Sequence, residues 1–162
     1  MIDPKIESGI ERLQNRYIAA VDGKRMDRWF DTFADRPDSS YTCISAESVA
    51  ANLPVALILD DNRGRLADRV FYVDKVWAGT YQDYRTRHFI QRLSCEQLDT
   101  DSYGCLTNFS VMFTPEELGD SRVLTCGVYE DEIVMRGPDF RFLKRRAILD
   151  TIVLPRYIVY PI

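Results

Sequence analysis

The feature that most constrains how this chain can fold is a two-residue period that begins near residue 85 and continues, broken only by turns, to residue 154. Cys105, Thr107, Phe109, Val111 and Phe113 fall on one side of it and Leu106, Asn108, Ser110 and Met112 on the other. Only an extended strand sends successive side chains to opposite faces in this way. Just before it, Arg87, Phe89, Gln91, Leu93 and Cys95 alternate against His88, Ile90, Arg92, Ser94 and Glu96. Val123 to Met135 and Phe140 to Leu154 read as two more strands around the turn Arg136-Gly137-Pro138-Asp139. Four long strands joined by short turns predict an antiparallel meander.

The first half has the other period. Asp3 stands where a helix N-cap belongs and Pro4 where a missing N–H costs nothing, after which Ile6, Ile10, Leu13, Tyr17 and Val21 mark one apolar stripe. Asp22-Gly23 ends it. Met26, Trp29, Phe30 and Phe33 predict a second helix that stops before Arg36-Pro37, because the residue ahead of a proline avoids the helical region. Tyr41 to Ser45 and Val55 to Leu59 read as short strands. Leu66, Val70, Val73 and Trp77 define a third helix after the turn Asp61-Asn62-Arg63-Gly64. Helices first and long antiparallel strands after them predict an α+β domain, one curved sheet around helices, spanning residues 1–162.

Composition narrows the function. A chain of 162 residues can bury a core without metals or disulfides, and no apolar run approaches the length of a membrane span. The polar start, Met1 to Gly9, predicts no secretory leader, so a soluble cytoplasmic protein is expected. Twenty-five acidic against 21 basic residues, a net charge of -4, do not give the basic footprint of a nucleic-acid binder. Lysine supplies only Lys5, Lys24, Lys75 and Lys144, and arginine the rest, a bias that suits ion-paired interfaces as well as genomic drift. Cys43, Cys95, Cys105 and Cys126 lie far apart with no C-x-x-C pair and read as reduced core residues. The single histidine, His88, excludes both a Rieske cluster and a mononuclear non-haem iron triad within one copy of the chain, since each needs two.

Asp31, Tyr41 and His88 are the residues that could serve an isomerase or dehydratase in a pocket under such a sheet, with a carboxylate as base and a phenol polarising a carbonyl. Against this, Asp31 falls on the polar side of its helix and Tyr41 reads most simply as a packed strand residue. Arg85, Arg87 and His88 place cationic or hydrogen-bonding groups on both faces of a strand, which suits a sheet covered on both sides. The segment from Thr151 to Ile162, with Tyr157 and Ile158 in its middle, is too apolar for a frayed end and is expected to pack on the sheet or on another subunit.

The helix pair ending in Trp29-Phe30, the run Asp68-Arg69-Val70, Arg85-Thr86-Arg87-His88 opening a long strand, and Phe142 through Lys144-Arg145-Arg146 to Asp150 occur in this order over nearly the whole chain. Together they resemble the small (β) subunit of aromatic-ring-hydroxylating oxygenases, most of all those serving hydroxy- or amino-benzoates such as salicylate. The resemblance implies a cone-shaped fold of the nuclear-transport-factor-2 (NTF2) type, shared with ketosteroid isomerase and scytalone dehydratase. It also implies a partner: a large α subunit carrying a Rieske [2Fe-2S] cluster and a mononuclear Fe(II), in an α3β3 assembly with a β trimer. Electrons from NAD(P)H would reach that subunit through a reductase and ferredoxin. This chain would then hold no cofactor, no metal and no catalytic residue, and Arg85, Arg87, His88, Arg145, Asp150, Tyr157 and Ile158 are its subunit-interface candidates. A shared fold does not carry an isomerase's activity with it.

Overall fold

The computed structural model describes residues 2–117 and 119–162. A six-stranded sheet in the order β2-β1-β6-β5-β4-β3 is curved around one long helix. That helix, α1 (Pro4–Asp22), begins where Asp3 accepts a hydrogen bond from the Lys5 amide at 2.7 Å, and it buries Ile10, Leu13, Tyr17 and Val21 as its spacing predicts. Gly9 lets it sit against Phe140, whose ring leaves no room for a Cβ there. Gln14, also buried, donates to the Thr107 hydroxyl at 3.0 Å and so ties α1 to the sheet.

The second helix is shorter than its apolar spacing predicts. Helix α2 (Met26–Phe30) stops early because the Thr32 hydroxyl donates to the Trp29 carbonyl at 2.6 Å, and the chain then joins the sheet. Phe33 forms a parallel bridge with Phe142, with Ala34 N–H donating to Phe142 and Phe142 N–H to Thr32. Strand β1 (Ser40–Ser45) continues that parallel pairing beside β6, and β2 (Ala56–Asp60) lies antiparallel on its outer side. Between them stands a one-turn helix, α3 (Ala46–Ala50), which has no apolar stripe and so leaves no mark in the periodicity. Its start is set by Ser45, which caps the Ser48 amide at 3.1 Å.

Helix α4 (Arg63–Phe71), capped by Asn62, buries Leu66 and runs into a π-helical turn, Tyr72–Val76, that buries Val73. The wider turn rotates the residues beyond it, so Trp77 lies partly in solvent instead of completing the stripe.

The meander is present as expected: β3 (Tyr84–Asp99), β4 (Ser102–Pro115), β5 (Arg122–Arg136) and β6 (Asp139–Leu149) pair antiparallel in succession. Tyr103, Cys105, Thr107, Phe109, Val111 and Phe113 all face the core. Two expectations need correction. A register slip between Arg92 and Ser94 brings Cys95 to the face of His88, directly opposite Cys105 at a Cα separation of 4.2 Å, and the two form a disulfide. Cys126 is exposed, and only Cys43 is a buried free thiol. The last strand ends at Leu149, where Asp150 N–H makes its final ladder bond to Cys126, and not at Leu154. From Thr151 the chain folds back irregularly over the sheet, burying Val159 and Ile162. No helix is long and apolar enough to cross a membrane among the described residues.

Candidate functional site

The interior is built around an ion pair. Strands β5 and β6 set Asp131 opposite Arg145 in register, and the guanidinium donates to both carboxylate oxygens at 2.9 Å. The Arg145 and Asp131 side chains are 1% and 0% exposed. The rings of Tyr17, Tyr129 and Phe142 lie 4.0, 4.0 and 4.1 Å from the guanidinium carbon and form a cage around the cation. Burial opposes the charge on Arg145, but Asp131 more than offsets it and holds the group above the ordinary arginine value. Burial raises the Asp131 carboxyl in spite of Arg145. Arg145 is therefore a core residue and not the interface residue expected of it, because the alternation of β6 turns it inward with Ala147 and Leu149.

Tyr41 is fully buried beside this cage. Its hydroxyl donates to the Ile162 main-chain oxygen at 2.9 Å and accepts from the Ile162 amide at 2.8 Å, while Tyr17 donates to the same oxygen at 2.7 Å. Burial pushes the Tyr17 phenol up to about 12 and moves Tyr41 in the same direction. Both phenols stay protonated at neutral pH and donate to an oxygen of the chain itself.

His88 is buried as well, and its partner is a residue that the sequence marks only as a helix breaker. The Asp22 carboxylate, at the end of α1, accepts from the Thr86 hydroxyl at 2.7 Å, from the His88 backbone N–H at 3.0 Å and lies 2.6 Å from His88 Nδ1. Burial alone would raise Asp22, but the bonds from His88 and Thr86 win and hold it below the usual carboxylate value. His88 Nε2 is buried without a hydrogen-bond partner among the described residues. His88 thus belongs to an internal clasp rather than to the chain's surface, and interface candidacy fails for it on the same ground as for Arg145.

The remaining candidates are placed differently. Asp31 is exposed, on the wall of a surface groove. No hydrogen bond joins any two of Asp31, Tyr41 and His88 among the described residues. Arg85 and Arg87 project from the outer face of β3 beside Phe89, which is 61% exposed. Asp150 is exposed and accepts from the Cys126 thiol. Exposed Tyr157 accepts the Gln82 amide at 3.2 Å, while half-buried Ile158 packs on the core. Five of the seven interface candidates therefore remain at least partly accessible.

The donor set does not fit an iron centre in this chain. Asp22 occupies the Nδ1 side of the one histidine, two of four cysteines bond to each other, and no group of three His, Cys, Asp or Glu converges among the described residues. Residues 16–156 match the model of a family described as "Ring hydroxylating beta subunit". The chain belongs to that family. It is 31% identical, over 99% of its own length and 96% of the relative's, to the anthranilate 1,2-dioxygenase small subunit of Burkholderia cepacia. A solved structure from Novosphingobium aromaticivorans, described as the beta subunit of an aromatic-ring-hydroxylating dioxygenase, superposes with a TM-score of 0.80 at 28% identity, covering 91% of each chain. The same architecture recurs in a hexachlorocyclohexane dehydrochlorinase, TM-score 0.64 at 15% identity, over 94% of this chain and 90% of that one. The fold is thus the NTF2-like cone, which this beta subunit shares with that enzyme.

Proposed function

We propose that this chain is the non-catalytic subunit of an oxygenase acting on a benzoate-type acid, of the salicylate or anthranilate kind, and that it supports assembly of a large subunit that holds the Rieske cluster and the mononuclear iron. Electrons would come from NAD(P)H through a reductase and ferredoxin, and the assembly would be α3β3 on a β trimer. The observation that carries this reading is the match of residues 16–156 to the ring-hydroxylating beta-subunit family, and the interior agrees with it, since Tyr17, Tyr41, Arg145 and Asp131 are all engaged with other groups of the chain. The likeness to an anthranilate dioxygenase small subunit over almost the whole of both chains supports the substrate class.

The test is reconstitution. The chain alone should retain no stoichiometric iron after desalting and turn over no aromatic acid, whereas the complex with its large subunit should hydroxylate salicylate or anthranilate in the presence of reductase and ferredoxin. Iron near one atom per chain, or isomerase or dehydratase turnover by the chain alone, would overturn the proposal.

A further inference from the structure

One surface of the molecule has a charge opposite to that of the whole. A groove of about 910 Å3 runs between α1 and α2 on one side and the β5–β6 hairpin on the other. Arg16 lines it from α1, Arg25 and Arg28 from the start and body of α2, Arg63 from the start of α4, and Arg136 and Arg141 from the hairpin. Only three acidic residues, Asp31, Asp35 and Asp139, share the lining. Six cations against three anions leave a surplus of three positive charges in a chain whose net charge is -4.

Local pairing reduces that surplus without removing it. Asp139 is divided between Arg141 at 2.9 Å and Arg16 at 3.7 Å, and Asp35 engages Arg63 at 3.0 Å. Arg63 is held further by the Ala34 carbonyl and by the Phe30 ring 4.2 Å beneath it, so it forms a fixed wall. Arg25 turns to Asp27, outside the groove. Arg28 has only the same Asp27 at 3.9 Å, is 68% exposed, and cannot be satisfied by a carboxylate already bound to Arg25. Arg136 is exposed at the hairpin and has no ion pair among the described residues.

The geometry points to this groove as the docking site for an acidic segment of the large subunit, an inference that rests on the reading of the chain as that subunit's partner. A single small carboxylate gains little from exposed guanidiniums, where water screens each pair to at most about 1 kcal/mol. Several carboxylates on one segment engage the surplus cations together, and the uncompensated field steers the segment in.

The experiment measures binding of the large subunit to the wild-type chain, to the double variant Arg28→Glu/Arg136→Glu, and to Arg28→Lys/Arg136→Lys, at about 0.05 M and about 0.5 M salt. Both side chains are exposed, so all three proteins should melt alike. The charge-reversed variant should bind about tenfold or more weakly at low salt, with the gap closing at high salt, while the lysine variant stays within about threefold of wild type. Equal binding by wild type and the reversed variant would refute the groove while leaving the subunit reading intact. The groove is refuted equally if the lysine variant loses as much as the glutamate one, or if reversal disrupts only self-association of the chain. A wild-type chain that binds no large subunit would remove both proposals at once.

Discussion

Replacing Asp131 with alanine should be among the most damaging single changes this chain can suffer. Two hydrogen bonds of 2.9 Å would disappear, and the guanidinium left behind would be only 1% exposed. Removing one partner of a buried ion pair costs about 3–5 kcal/mol, because the surviving charge keeps its desolvation penalty without its counter-ion. The rings of Tyr17, Tyr129 and Phe142 soften this without cancelling it, since a desolvated cation–π contact is worth on the order of 2 kcal/mol. Total stability of a domain this size is about 5–15 kcal/mol, so the variant should unfold at a markedly lower urea concentration. Urea titration followed through tryptophan fluorescence reads this, because the Trp29 indole is fully buried whereas Trp77 is already partly exposed. The double variant Asp131→Ala/Arg145→Met should recover much of the loss, since it removes the stranded charge. A single-variant cost below about 1 kcal/mol, or a double variant no better than the single one, would refute the account of a desolvated pair.

Asp22→Asn should cost about 1.5–3 kcal/mol at neutral pH, the range for hydrogen bonds to a charged acceptor, with thermal unfolding as the check. Because Asp22 is held below the ordinary aspartate value of about 3.9 in the folded state, the stability it adds is present above that pH and is lost as pH falls below it. The acid limb of the unfolding curve below about pH 4 should therefore flatten in the asparagine variant. Tyr41→Phe leaves the ring in place but removes both hydroxyl bonds to Ile162. It should destabilise the protein by about 1–3 kcal/mol and raise hydrogen exchange at the amides of Val159 and Ile162.

How far the fold is legible in the sequence depends on which interactions are local. Alternation in β4 and the stripe of α1 are plain because burial acts on every second or every third to fourth residue. The length of α2 is not, because Phe33 is claimed by Phe142, more than a hundred positions away. Asp22 does not stand out because nothing near it names the strand its carboxylate meets. Arg145 is easily misplaced although a signal exists. It shares parity with Ala147 and Leu149, and Asp131 shares parity with Tyr129 and Ile133, so two opposite charges fall on inward faces of adjoining strands. The cluster Lys144-Arg145-Arg146 looks like a solvated surface, and only the register shows that its middle member is not.

The hydrogen bonds from Tyr17 and Tyr41 to Ile162 join residues 145 and 121 positions apart, which matters for a chain made from one end. At about 5–20 residues per second, the ribosome needs on the order of ten seconds to travel from Tyr17 to Ile162. Throughout that interval the helix, and later the whole meander, exist without the segment that seals them, and water must satisfy the two phenols. Any companion that meets this chain during its synthesis meets it with that end of the cone still open.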